Sequence, residues 1–414
     1  MKKILLNLIL ACTSFFIISC SKEEPTPVTT ITPFIVLDPV IPPTSTPVFA
    51  CTIINILPTP LPDEQSQVPP ITDTDFSIGP TDAPVTILEY CEFQSEICLL
   101  MAQTIAELNR NYTGNIRFVF RPFPLPDLLD KSDEALLAAF AANEQGKFWE
   151  MYDLLFVKHA EWSNLSPGEF KSWLVRESAA VGVDGNQLAV EMKAEGPATR
   201  LKSAKEAASL LPVQALPLVF INGSLQQYFI DYQGLNDTVG LILLGKKQFT
   251  KCPPYTVNAS KQYIATIETE KGNIVIQLFP DKAPFAVNSF VFLARQGWYN
   301  GVTFHRVIPG FAAQAGDPSG TGRGNPGYLF KNETNDLLFS KPGMVGMANS
   351  GPDTNGSQFF ITFAPAAHLN GFFTIFGQVI SGLEVAEQLT PRDPSQGIYL
   401  PAGDVILNVT IEEK

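Results

Sequence analysis

Histidine, cysteine and positive charge are all scarce in this 414-residue chain. The 3 His and 6 Cys include no Cys-x-x-Cys pair, and the histidines are dispersed at positions 159, 305 and 368. No donor set at metal-site spacing results, which argues against a metalloenzyme. Lys and Arg number 28 against 41 Asp and Glu, a formal charge of -13. A general nucleic-acid binder needs the opposite sign to neutralise phosphates, so that class is excluded too. Charged residues are only 17% of the chain and hydrophobic ones 45%, which excludes disorder throughout. At about 150 residues per domain, the length predicts two or three domains. Beyond residue 18 no apolar run reaches about eighteen residues, so no membrane span is expected there.

Two cations, Lys2 and Lys3, precede an apolar run over residues 4–18. As a helix it would measure about 22 Å at roughly 1.5 Å per residue, short of the roughly 30 Å hydrocarbon core. The pattern is that of a secretory leader, residues 1–19. Its end, Ile17-Ile18-Ser19-Cys20, resembles the lipobox of bacterial lipoproteins. The resemblance implies cleavage before Cys20, lipidation of Cys20, and an extracytoplasmic chain anchored to the bacterial cell membrane. Residues 20–75 follow as a Pro/Thr-rich tether, because 12 of the 34 prolines lie there and proline fixes φ and removes ladder donors. Fully extended, the tether would reach ~170 Å at about 3.1 Å per residue. Two apolar patches, Phe34-Ile35-Val36-Leu37 and Val48-Phe49-Ala50 with Ile53-Ile54, do not suit a solvated linker and are expected to dock on a neighbouring domain.

Val85-Thr86-Ile87-Leu88-Glu89-Tyr90 reads as a buried strand, and Ile97, Leu100, Met101, Ile105 and Leu108 then recur at helical spacing. Arg117-Phe118-Val119-Phe120 is the next strand, an Ala/Leu-rich helical stretch follows, and Leu216-Pro217-Leu218-Val219-Phe220-Ile221 returns as a strand. This order, over residues 76–250, resembles the DsbA-like branch of the thioredoxin superfamily, an α/β fold with a helical insertion. Pro217 matches that family's cis-proline and Gln145-Gly146-Lys147-Phe148-Trp149 its insert. The family's Cys-x-x-Cys is replaced by Ser95-Glu96-Ile97-Cys98, so the attacking thiol is a hydroxyl and the redox site is degenerate. Cys91 is an extra thiol seven residues before Cys98 and could pair with it, while Cys51 and Cys252 flank the domain and could staple tether to linker. Cys51, Cys91, Cys98 and Cys252 allow three complete pairings, all open, and an oxidising compartment makes pairing reasonable. Glu89 occupies a position where the family often carries a buried acid, but a single acid at a strand end reads as an ordinary charged flank.

After a linker over residues 251–261, the pattern over 262–414 turns to short strands. Ala265 and Ile267 alternate, a Lys271-Gly272-Asn273 turn follows, then Ile274, Ile276 and Leu278. Pro284 opens a helix with apolar face Val287, Phe290, Val291 and Ala294, closed by Gly297. Strands spaced by Gly-rich turns predict a mainly-β closed barrel. Two segments, Phe304-His305-Arg306-Val307-Ile308-Pro309-Gly310-Phe311-Ala312-Ala313-Gln314-Ala315-Gly316-Asp317 and Met347-Ala348-Asn349-Ser350-Gly351-Pro352-Asp353-Thr354-Asn355-Gly356-Ser357-Gln358-Phe359-Phe360-Ile361, resemble the two signatures of cyclophilin-type peptidyl-prolyl isomerases. The resemblance implies Arg306, Phe311 and Gln314 as catalytic residues. It implies Ile308, Ala312, Gly320, Ala348, Asn349, Ser350, Gln358, Phe360, His368, Leu369 and Phe373 as substrate-binding. No cofactor is implied, and the expected partners are proline-containing unfolded or secreted polypeptides. His368 stands where many members carry Trp, Ala312 replaces a larger residue and Ala315 a glycine. His305 is expected to be structural. Gly322-Arg323-Gly324-Asn325-Pro326-Gly327 satisfies a dinucleotide-binding pattern but lacks its strand and helix, and reads as a turn.

The leading expectation is an extracytoplasmic prolyl isomerase with a redox-inactive thioredoxin-type scaffold or client-binding domain. A thiol-disulfide oxidoreductase using Cys91 and Cys98, or a non-catalytic peptide-binding surface protein, are the alternatives.

Overall fold

A computed structural model describes residues 49–54, 68–211, 216–227, 230–396 and 400–414. The leader, Cys20 and the Phe34-Ile35-Val36-Leu37 patch lie outside these residues. The chain order begins β1 (Thr52–Ile53), β2 (Phe76–Ile78), β3 (Val85–Cys91), α1 (Glu96–Asn111) and β4 (Ile116–Pro122). The helical insertion is α2 (Ser132–Glu144), α3 (Phe148–Val157), α4 (His159–Trp162), α5 (Pro167–Glu177), α6 (Gly185–Glu191) and α7 (Glu195–Ser209). After it come β5 (Leu218–Ile221), β6 (Ser224–Leu225) and α8 (Tyr232–Leu244). These strands form one sheet in the order β2-β4-β3-β5-β6, with β3 and β4 parallel and the rest antiparallel.

Successive side chains of β3 point to opposite faces of the sheet. Val85, Ile87 and Cys91 enter the main core with Phe118, Phe120 and the insertion helices, while Leu88 and Tyr90 pack with Val119 and Phe220 on the other side. Glu89 falls on the main-core face and is 1% exposed. The expectation of a charged flank is therefore corrected: the strand continues two residues past Glu89, so its side chain has no route to solvent. In α1 the buried stripe is Cys98, Met101, Ala102, Ile105 and Leu108, whereas Ile97 and Leu100 are 56% and 61% exposed. Anchoring the 3.6-residue period on Cys98 leaves those two on the outer face.

The tether is not a free spacer as far as residue 75. Phe49 is 4% exposed, with edge contacts to Phe285, Tyr328 and Phe330, Cys51 is bonded to Cys252, and β1 pairs antiparallel with β11 (Tyr328–Leu329). Farther on, Asp75 receives Arg121 Nε and Nη2 at 2.7 and 2.9 Å. The expected docking of the second apolar patch is thus seen at Phe49, on the C-terminal domain.

That domain comprises β7 (Tyr263–Thr269), β8 (Gly272–Leu278), α9 (Pro284–Arg295), β9 (Arg306–Ile308), β10 (Ala312–Ala315), β11, β12 (Met344–Met347), β13 (Phe359–Thr362), β14 (Ile375–Ser381), α10 (Leu383–Glu387) and β15 (Ile406–Glu413). Apart from β11, its strands form one antiparallel sheet, β15-β7-β8-β14-β12-β13-β10-β9. The first hairpin turns at Glu270-Lys271, one residue earlier than expected, with Thr269 opposite Gly272. The sheet curls as a half-barrel, and among the described residues no ladder joins β15 to β9. Instead the stretch before β9 meets the start of β15, through Gly301 N–H to Ile406 O, Ile406 N–H to Val302 O and the bridge Thr303↔Val405. Strand β9 begins only after this meeting point and is three residues long.

Candidate functional site

Alternation along β9, β10, β13 and β12 separates two faces. Val307, Ala313, Ala315, Phe359, Ile361, Val345 and Met347 fill the interior under α9. The opposite face carries a row fixed by register: Arg306 lies opposite Gln314, Gln314 opposite Phe360, and Phe360 opposite Gly346. The next row sets Ile308 opposite Ala312 and Ala312 opposite Thr362. Five expected site residues from two distant segments, Arg306, Ile308, Ala312, Gln314 and Phe360, thus share one face, because strand alternation and register set them on the same side. Gly346 is required in this row, since a Cβ there would stand 2.8 Å from the ring tips of both Phe339 and Phe360.

Below the row is an apolar cluster of Ala312, Phe339, Met344, Phe360, Ala366 and Ile375, joined by Phe311, Ala348, Leu369 and Phe373. Phe373 meets Phe360 edge-on at 5.5 Å, and His368 stacks on Phe311 at 5.8 Å. The Arg306 guanidinium lies 5.8 Å from the Phe311 ring centre. Among the described residues it makes no ion pair or hydrogen bond, and the Asp393 carboxylate acts on it only through space. A half-buried, unpaired cation beside an aromatic-walled hollow is left free to meet a ligand. Phe339, Met344 and Ile375 are not singled out by the sequence. Met344 alternates with Gly346 on β12 and Ile375 opens β14 opposite Gly346, so only the register between these strands makes them a common wall with Phe339.

Beside the row opens a cavity of ≈ 250 Å³ lined by Gln314, Arg323, Asn325, Ala348, Thr354 and Gln358, with Asn349 and Ser350 at its edge. Gln314 Nε2 donates to Gln358 Oε1 at 2.9 Å, and Gln358 Nε2 donates to the carbonyls of Gly322 and Gly324 at 3.0 and 2.8 Å. The Asn349 side chain donates toward Asn355 Oδ1 at 3.3 Å. Gly320 lies in the same loop, against Thr303, while Gly322 and Gly324 line the cavity. The Gly322–Gly327 pattern is a loop, consistent with its missing helix. His305 is buried, and desolvation holds its imidazole below the ordinary 6.5. It therefore sits neutral in the wall behind Arg306.

In the thioredoxin-type domain, Cys91 ends β3, Cys98 lies in the first turn of α1, and the two are disulfide-bonded and wholly buried. Ser95 is the N-cap of α1, its hydroxyl accepting from Cys98 N–H at 3.4 Å. The Leu216-Pro217 bond is cis, and continuing the Tyr90↔Leu218 register by one residue sets Pro217 beside Cys91. The expected redox-site residues are thus together. The open pairing of the four thiols is resolved as Cys51–Cys252 and Cys91–Cys98. Burial drives two nearby acids upward, Glu89 to about 8 and Glu92 to about 7.

Residues 264–412 match the family model described as cyclophilin type peptidyl-prolyl cis-trans isomerase, and residues 71–239 match the one described as thioredoxin. A peptidyl-prolyl cis-trans isomerase of Helicobacter pylori is 48% identical over 137 residues, which is 32% of this chain and 84% of that protein. Peptidyl-prolyl cis-trans isomerase B of Bacillus subtilis is 51% identical over 126 residues, 30% of this chain and 88% of that protein. A crystal structure of a Cryptosporidium parvum cyclophilin is 34% identical with a TM-score of 0.34, covering 36% of this chain and 98% of that one. Through residues 264–412, behind a thioredoxin-like domain, the chain belongs to the cyclophilin-type peptidyl-prolyl cis-trans isomerases.

Proposed function

We propose that this isomerase acts through Arg306, Phe311 and Gln314, with Phe360, Ile308, Ala312, Leu369 and Phe373 gripping the prolyl ring. Ala348, Asn349, Ser350, Gln358, Gly320 and His368 border the bound peptide. The observation carrying this reading is the Arg306–Gln314–Phe360 row, which puts an unpaired cation, an amide and an apolar hollow side by side. Rotation of a peptide bond faces roughly 18–20 kcal/mol because the twisted state loses its resonance. No nucleophile is needed: the hollow holds the pyrrolidine while the chain before it turns. The twisted nitrogen regains a lone pair, and Arg306 favours that state over the planar one. Each roughly 1.4 kcal/mol of such preference is tenfold in rate. Phe360→Ala should therefore raise KM for an X-Pro peptide at least about tenfold, the loss of a buried aromatic contact being worth roughly 3 kcal/mol. Parental kinetics in a folded Phe360→Ala protein would overturn the assignment.

The DsbA-like thioredoxin-fold domain acts as a scaffold or client-binding module for extracytoplasmic folding rather than as a dithiol enzyme. Ser95 supplies a hydroxyl where exchange needs a thiolate, and both sulfurs of Cys91–Cys98 are out of reach of an attacking thiol. The lipobox-like segment supports processing before Cys20 and lipid anchoring to the bacterial cell membrane. Cys20→Ser should abolish lipid labelling, and unchanged labelling would show that reading to be wrong.

A further inference from the structure

Helix α8 has two working faces. Leu235, Val239 and Ile242 enter the thioredoxin-type core, whereas Asp237, Gly240 and Leu244, spaced three and four residues apart, form a second stripe. This second stripe meets the loop that follows β10. Arg323 Nη2 donates to Asp237 Oδ2 at 3.3 Å. A Cβ at Gly240 would lie 3.4 Å from Ser319 O, and one at Gly324 would meet Leu244 Cδ2 at 2.7 Å. Just past the helix, Gln248 Nε2 donates to Asn325 O at 3.1 Å and Phe249 N–H to Pro326 O at 2.8 Å.

The loop itself is gathered by buried Asp317, which accepts from Ser319 N–H at 2.8 Å and Gly324 N–H at 2.9 Å. Its other side is the wall of the ≈ 250 Å³ cavity, and there the Gly322 and Gly324 carbonyls hold Gln358, which in turn holds Gln314. Arg323 and Gly324 therefore touch α8 from one side and border the substrate groove from the other. The carboxylate partner of Arg323 among the described residues is Asp237, so its brace comes from the neighbouring domain.

We propose that α8 is a positioning element of the isomerase: through Asp237, Gly240 and Leu244 it holds the 319–325 loop in the shape that forms the cavity beside Gln314 and Gln358, and so sets affinity for side chains flanking the X-Pro bond. The inference rests on the reading that the Gln314 groove holds the substrate. The thioredoxin-type domain thereby takes part in peptide selection without any redox chemistry.

The test uses the full chain, with kcat and KM measured on X-Pro peptides whose flanking residues are either Ala or Gln. Gly240→Trp wedges the loop from an outward-facing helix position, and Asp237→Arg sets two cations against each other. Each should raise KM for a Gln-flanked peptide about fivefold, equivalent to about 1 kcal/mol, with kcat within about twofold and Ala-flanked peptides little changed. Asp237→Glu, which keeps a carboxylate for Arg323 and leaves the groove lining untouched, should hold KM within about twofold of the parent. Parental KM in both disruptive variants, or a KM in Asp237→Glu raised as far as in Asp237→Arg, overturns the proposal. Arg306→Ala is assayed in parallel: if it loses activity while the α8 variants match the parent, the positioning role fails and the groove reading stands. If Arg306→Ala keeps the parental rate, the groove reading fails and this inference with it.

Discussion

Replacing Glu89 by Gln should flatten the pH dependence of the thioredoxin-type domain's stability. Glu89 is 1% exposed, neither carboxylate oxygen has a partner among the described residues, and burial raises its pKa from 4.5 to about 8. The folded domain therefore keeps the proton across neutral pH while the unfolded chain releases it above 4.5. Its stabilising effect is fully present below about pH 4.5 and is lost as the pH rises toward 8. Between pH 5 and 7 the slope is close to about 1.4 kcal/mol per pH unit for one group, or roughly 2–3 kcal/mol over the interval. In a domain of this size that is about 5–10 °C in Tm at roughly 2–4 °C per kcal/mol. Glu92, raised to about 7, adds to the slope in the same direction over most of the window. Thermal unfolding of the parent and Glu89→Gln, followed by circular dichroism at pH 5, 6 and 7, reads the difference directly. The parent should lose stability over this range more steeply than the variant. Equal slopes, or a parent that gains relative stability with rising pH, would refute the reasoning.

Phe49→Ala should destabilise the isomerase domain by about 3 kcal/mol, because a fully packed aromatic ring is removed from between Phe285, Tyr328 and Phe330; a calorimetric Tm within a degree of the parent would contradict its role as an anchor. Ser95→Cys should introduce a thiol that reacts with an alkylating reagent in the native state, since the N-terminus of α1 favours its thiolate. The parent should fail to reduce insulin, and parental activity that vanished with Cys91→Ala would promote the thiol-disulfide reading.

The signature segments make the groove legible in the sequence, because its chemistry sits in short contiguous stretches whose alternation assigns faces directly. Arg306 and Phe360 are readable as a pair only through resemblance, yet the register with Gln314 explains why both must face one way. Less is legible where long-range packing decides. Glu89 has the same local sequence context whether its strand ends at 90 or continues to 91, and that one residue separates a solvated flank from a buried acid. Ile97 and Leu100 fit a helical stripe, but the disulfide pins Cys98 inward and rotates the helix away from them. The brace between α8 and the 319–325 loop has no sequence signal at all, since Asp237 and Arg323 are ordinary surface residue types until the fold sets them 3.3 Å apart.

The central claim is that Arg306 stabilises the twisted prolyl bond, and kcat/KM of Arg306→Ala tests it most directly. The variant removes a partly exposed side chain that makes no ion pair or hydrogen bond among the described residues and rests only against the Phe311 ring, so its unfolding free energy should stay within about 1 kcal/mol of the parent. Its kcat/KM for cis/trans exchange of an X-Pro peptide should fall by at least about a hundredfold, or roughly 2.7 kcal/mol of transition-state stabilisation. An Arg306→Ala protein that is folded and isomerises the peptide at the parental rate would contradict the account.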